Sequence, residues 1–293
     1  MGSELRLHGG VHKTGTTHIQ YTMRANKALL REEGIAFLDP RELRPVTSQF
    51  FRSADPHFSA EDVARLKPRL ARILQWGQAP VTILSQENMI GVLPHFATHG
   101  TLYPTAHGVL ACLAKLLPAP VTSVHLCLRD FASFLPSAYV EVLRARPFMT
   151  FETFTAKADL ASLSWQPLIG AFQTVFPGAR IEVWSYRAFT ADNAAMIDAL
   201  LGRPLSGRLA PRGTDRVRIG ASERVVVEMA QIATSEGTAA ARDAMKALEK
   251  RYPIGPERPK FNPWSVEERL ALDARYAEDL DTIAALPGVT LTR

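Results

Sequence analysis

Residues 9–17 read Gly-Gly-Val-His-Lys-Thr-Gly-Thr-Thr and follow a short apolar run, Leu5 to His8. An extended segment, a glycine turn and a hydroxyl-rich helix start in that order make a cradle for an anion. The first N–H groups of a helix have no partner inside it, and the helix dipole favours negative charge there. Lys13 adds a full charge on a movable stem, and Thr14, Thr16 and Thr17 add hydroxyl donors beside the Gly15 turn. The loop of nucleoside-triphosphate proteins places its Lys directly after the last Gly. Here Lys13 precedes Gly15, so the motif is a different one.

Three more strand ends carry chemistry. Residues 121–128, Val-Thr-Ser-Val-His-Leu-Cys-Leu, have the apolar, β-branched character of a buried strand. Arg129-Asp130 ends it, and Phe131, Phe134, Leu135, Ala138 and Val142 follow at helical spacing. Ser137 falls eight positions after Arg129. An Arg at a strand end and a Ser two turns into the next helix can converge on one phosphate, where the guanidinium offers a fork of donors. Pro80 to Ser85 reads as another strand, which sets Glu87 at its carboxyl end, where open α/β sheets hold their ligands. Residues 180–186 read as a strand ending in Tyr186, followed by Arg187. An Arg-rich stretch at 203–218, with Arg212-Gly213 inside it, reads as a loop.

Lys13-Thr-Gly-Thr-Thr17 resembles the 5′-phosphosulfate loop of sulfotransferases that use 3′-phosphoadenosine 5′-phosphosulfate (PAPS). Arg129 and Ser137 resemble the pair by which that family holds the 3′-phosphate, with Phe131 in place of the usual Pro. The resemblance runs in order from Lys13 to Tyr186 and fades after about residue 190. It implies a P-loop nucleotide-hydrolase/sulfotransferase-like fold of the bacterial type, with PAPS as cofactor and 3′-phosphoadenosine 5′-phosphate (PAP) as product. It also implies that Glu87 is the general base, as in many bacterial and carbohydrate-type members, with His95, His99 or His107 as alternatives. Tyr186 and His18 are implied near the adenine, and Arg212 on the 3′-phosphate side. Two other readings stay open, a phosphotransferase using a nucleoside triphosphate and an inactive PAPS/PAP-binding protein.

Strands alternating with helices predict an α/β fold with a mostly parallel sheet flanked by helices. The 293 residues read as one domain, 1–293, with a helical C-terminal part at about 221–286. No metal-ligand cluster is visible. The net charge of +5 suits an anionic ligand, and without aromatic residues interleaved among the arginines a nucleic acid is not expected. No stretch approaches the roughly 20 apolar residues of a membrane span, and the start lacks an apolar signal region, so a cytoplasmic setting is expected. Cys112 and Cys127 are read as reduced structural residues. The acceptor, small molecule or carbohydrate, and the oligomeric state are not legible. Helices are expected at about 16–32, after a Ser59-x-x-Asp62 capping box, at 106–116, at 150–158 and 165–176, at 222–250 with a break near Gly237, and after Ser265-x-x-Glu268. Residues 39–58 and 91–105 read as loops lining the acceptor.

Overall fold

The computed structural model describes residues 3–47, 56–211 and 220–293. Six strands form one sheet: β1 (Glu4–His8), β2 (Ile35–Leu38), β3 (Val81–Ser85), β4 (Ser123–Leu128), β5 (Arg180–Ser185) and β6 (Val289–Thr292). Their order is β2-β3-β1-β4-β5-β6, and every neighbouring pair is parallel. This is the parallel α/β architecture expected.

Alternation along the strands builds a core on each side of the sheet. Leu5, Leu7, Val124, Leu126, Leu128, Ile181 and Val183 join one core. It also takes apolar residues of the helices Ala60–Leu74, Ala106–Leu116, Phe131–Leu143, Gln166–Val175 and Val266–Ala284. Val81, Ile83, Cys127 and Trp184 face the other core, with Ile19, Met23, Leu200 and Leu201. Both capping boxes form, at Ser59–Asp62 and Ser265–Glu268.

β1 is central, and the chain leaves its carboxyl end for the second core while it leaves β4 for the first. The two connections diverge there and open the crevice in which such sheets hold ligands.

Several expectations change. The helix expected over 16–32 is two, Thr16–Ala25 and Lys27–Glu32. They part at Asn26, whose side chain donates to the Thr22 and Ala210 carbonyls and accepts from the Ala210 N–H. The supposed loop after residue 39 contains the helix Pro40–Thr47, and Pro94–His99 is helical within 91–105. Tyr186 opens the short helix Tyr186–Ala191 instead of ending β5, because Ser185 caps it by accepting from the Ala188 N–H. β6 was not anticipated. Cys112 and Cys127 are buried free thiols.

Candidate active site

Backbone conformation, close packing and an internal hydrogen bond shape the loop after β1. Lys13 and Gly15 both take left-handed backbone conformations, φ 67° and 84°. At Gly15 a Cβ would stand 2.3 Å from the Phe189 ring, so only glycine fits. The Thr14 hydroxyl donates to the Val11 carbonyl at 2.5 Å, so its proton is committed within the loop. Thr16 behaves differently. Its Oγ1 is buried and has no hydrogen-bond partner, a costly state unless a ligand supplies one. Gly10 faces it: a Cβ there would lie 2.8 Å from Thr16 Oγ1 and 3.2 Å from His8 Nε2. Thr17 is exposed.

Arg129 reaches this loop across the crevice. Its Nη1 donates to the Lys13 carbonyl at 2.7 Å and its Nε to Ser133 Oγ at 2.8 Å. Asp130 is not its ion-pair partner. It caps the helix Phe131–Leu143, accepting from the Ser133 N–H and hydroxyl. The Arg129 carbonyl accepts from Trp165 Nε1, and the Leu128 carbonyl accepts from the Tyr276 hydroxyl, so the end of β4 is held from two helices. Phe131 is fully buried against Trp165 and Tyr276, which explains how the helix starts without a Pro. Ser137 is buried one turn beyond Ser133. The guanidinium also lies over the Tyr186 ring, 4.7 Å from its centroid. Tyr186 stacks on Phe189, and His18 meets Phe189 edge-on, so Tyr186 and His18 flank one aromatic cluster.

Lys13 Nζ lies 3.2 Å from Glu141 Oε2, and that carboxylate also takes Arg144 Nη1 at 2.7 Å. Lys260 comes close from the Pro-rich connector. Desolvation and then the charges of Arg129 and Lys13 hold its amine below the usual lysine range.

Glu87 opens a short 3₁₀ turn, Glu87–Ile90, at the end of β3. The cap of that turn is Gln86, not Glu87. Glu87 Oε2 accepts from Gln20 Nε2 at 3.0 Å. The histidine beside it is His12. His12 Nε2 lies 3.0 Å from Asn88 Oδ1, and Nδ1 lies 2.8 Å from the Tyr103 hydroxyl, which also accepts from the His12 N–H. Those partners assign the proton to Nε2, with Nδ1 accepting from Tyr103. Burial pushes the His12 imidazole below the usual histidine range against the pull of Glu87. His95 and His99 are engaged with each other on the helix Pro94–His99, where His99 Nδ1 lies 2.9 Å from the His95 carbonyl.

The structure thus brings Lys13, Thr16 and Arg129 to one crevice, with the aromatic cluster of Tyr186 and His18 beside Arg129 and Glu87 on the neighbouring strand end. Arg212 lies outside the described residues. Sequence reasoning missed Gln20, His12, Tyr103, Ser133, Glu141 and Phe189. Only His12 carried a signal, its place next to Lys13.

No protein-family model matches the chain, and no curated protein matches it. Among solved structures it is similar to the crystal structure of a sulfotransferase from Alicyclobacillus acidocaldarius. The two share 15% identity with a TM-score of 0.43, over 85% of this chain and all of that one. A likeness this distant assigns neither a reaction nor a role to any residue. Among the described residues no helix is long and apolar enough to cross a membrane.

Proposed function

We propose that this protein transfers a sulfuryl group from PAPS to a hydroxyl or amine of a small-molecule or carbohydrate acceptor. The observation that carries the reading is the 2.7 Å bond from Arg129 to the Lys13 carbonyl, which joins two cationic strand ends, 116 residues apart, in one crevice. The orphaned, buried Thr16 hydroxyl beside the Gly10 backbone fits an anion at the helix start. Thr16, Thr17 and the N–H groups from Thr14 onward would hold the 5′-phosphate, and Arg129 with Ser137 the 3′-phosphate. His18 and Tyr186 would border the adenine.

The bound cofactor would supply the sulfuryl group, and sulfuryl transfer, like phosphoryl transfer, depends on positioning and charge stabilisation. Lys13 would neutralise negative charge growing on the departing phosphate, as an oxyanion site does. Glu87 would take the proton of the acceptor group. Calorimetric titration with PAP beside ADP tests the reading, since ADP has two phosphates but none at the 3′ position. Tight PAP and weak ADP binding is expected. Equal affinity, or no binding of either, refutes the two-phosphate site.

A further inference from the structure

We infer that Gln20 is a positioning residue for Glu87, the last member of a buried hydrogen-bond chain that begins at the anion cradle. The inference rests on the reading of Glu87 as the proton acceptor.

Gln20 lies one helical turn after Thr16, so both side chains fall on one face of the helix Thr16–Ala25. Thr16 faces the cradle, and Gln20 faces the end of β3. Gln20 is 5% exposed, and a buried amide is costly unless its donors are used. They are used: Nε2 donates to Glu87 Oε2 at 3.0 Å and lies 3.3 Å from Ser85 Oγ. Ser85 Oγ stands 2.8 Å from His8 Nδ1. With Ser85 accepting from Gln20, its own proton goes to His8 Nδ1, which leaves the ring proton on Nε2. That nitrogen borders the same point beside Gly10 as the Thr16 hydroxyl. His8 and Ser85 are 1% and 0% exposed, so the inner links of the chain are sealed from water.

The chemical consequence is orientational. One carboxylate oxygen of Glu87 is fixed by an N–H donor, and Oε1 is left to meet the acceptor proton. A hydrogen bond at one oxygen narrows the range over which the carboxylate turns, which is the supporting role that makes a catalytic group precise. The titratable groups coupled to the Glu87 charge include His12 and Tyr103. Burial holds the His12 imidazole below the usual histidine range against the pull of Glu87 and the Asn88 hydrogen bond, and burial pushes the Tyr103 hydroxyl above its usual range.

The test uses Gln20→Glu and Gln20→Leu in the full chain, with the Glu87 side-chain carboxyl followed by carbon NMR through a pH titration and assigned with Glu87→Gln. In Gln20→Glu two carboxylates share the contact, and one must titrate higher, by about one pH unit or more. Because the titration then belongs to the pair, the Glu87 curve is expected to shift by that amount or to split into two steps, with PAP affinity by calorimetry within about twofold of the parent. A Glu87 curve superimposable on the parent's overturns the inference, and this readout needs no acceptor. Turnover, read as PAP release from PAPS with 4-nitrophenol, supplies the second measurement. Gln20→Leu is expected to lower kcat about 10-fold or more at unchanged KM for PAPS, as misplacing a reacting group does. If Glu87→Gln abolishes turnover and Gln20→Leu leaves kcat intact, the positioning role is refuted. If Glu87→Gln leaves turnover intact, the base reading is what fails.

Discussion

Mild acid should destabilise this protein through two histidines buried in its sheet. His8 on β1 and His125 on β4 are register partners, 1% and 2% exposed. Burial lowers His8 from 6.5 to about 4. Burial lowers His125 to about 3, helped by the neighbouring His8, Arg6 and Arg180. In the unfolded chain both titrate near 6.5, so below that pH the unfolded state binds protons that the folded state refuses. Stability is then fully present above about pH 6.5 and falls as the pH drops, levelling only near the folded values. At pH 5, about 1.5 units below the unfolded value, each histidine costs about 2 kcal/mol, or about 4 kcal/mol together. That is a large share of the 5–15 kcal/mol typical of a domain. Urea denaturation at about pH 7.5 and pH 5, above the range where most carboxylates titrate, measures it. His125→Leu leaves Ser123 Oγ without its 3.0 Å partner, a pH-independent cost of about 1 kcal/mol. The variant should nevertheless lose about 2 kcal/mol less stability between the two pH values than the parent. An equal loss in parent and variant would refute the claim that these rings are held neutral.

Lys13→Ala should lower PAPS turnover at least about 10²-fold while leaving the thermal midpoint unchanged, and near-parent turnover would refute its charge-stabilising role. Arg129→Ala should weaken PAP binding by about 2–3 kcal/mol, the scale of a charge-assisted pair, and unchanged affinity removes it from the 3′-phosphate. Glu141→Gln removes the carboxylate beside Lys13 and should strengthen PAP binding by about 1 kcal/mol at low salt; weaker binding would mean that Glu141 aims Lys13. Gly15→Ala forces a left-handed φ on alanine and a clash with Phe189, so thermal unfolding should show a loss of about 2 kcal/mol or more.

The parts of the site written in local sequence were readable. Leu5 to Thr17 and Val121 to Phe134 each carry strand, turn and helix start within about a dozen residues, so periodicity and turn chemistry define them. Gln20 was not readable, because on its own helix it is one more buried position and its partners Ser85 and Glu87 lie 65 and 67 residues away. His12 was hidden similarly, since Asn88 and Tyr103 meet it only when β1 and β3 pair. Arg129 and Ser137 were readable from their spacing as a pair converging on one phosphate, whereas Ser133, which meets Arg129 Nε one turn earlier, was not, because the Asp130 cap that turns it towards Arg129 is a feature of the folded helix start. The helix Pro40–Thr47 was missed because prolines were read as loop markers. Pro40 sits at its first position, where a missing N–H costs nothing. β6 was missed because its four residues, three half-exposed and one exposed, give neither an apolar run nor a firm alternation.

The central place of β1 has a kinetic consequence. β1 pairs with β3 and β4, which arrive about 77 and 117 residues later in the chain. Closing such long loops costs entropy before any contact repays it, so the sheet centre should assemble slowly and cooperatively. A nascent chain ending before β4 would already contain the whole Lys-Thr-Gly-Thr-Thr motif yet lack Arg129. If the proposed function holds, anion recognition should therefore switch on in one step, with the closure of the sheet, and not grow as the chain lengthens.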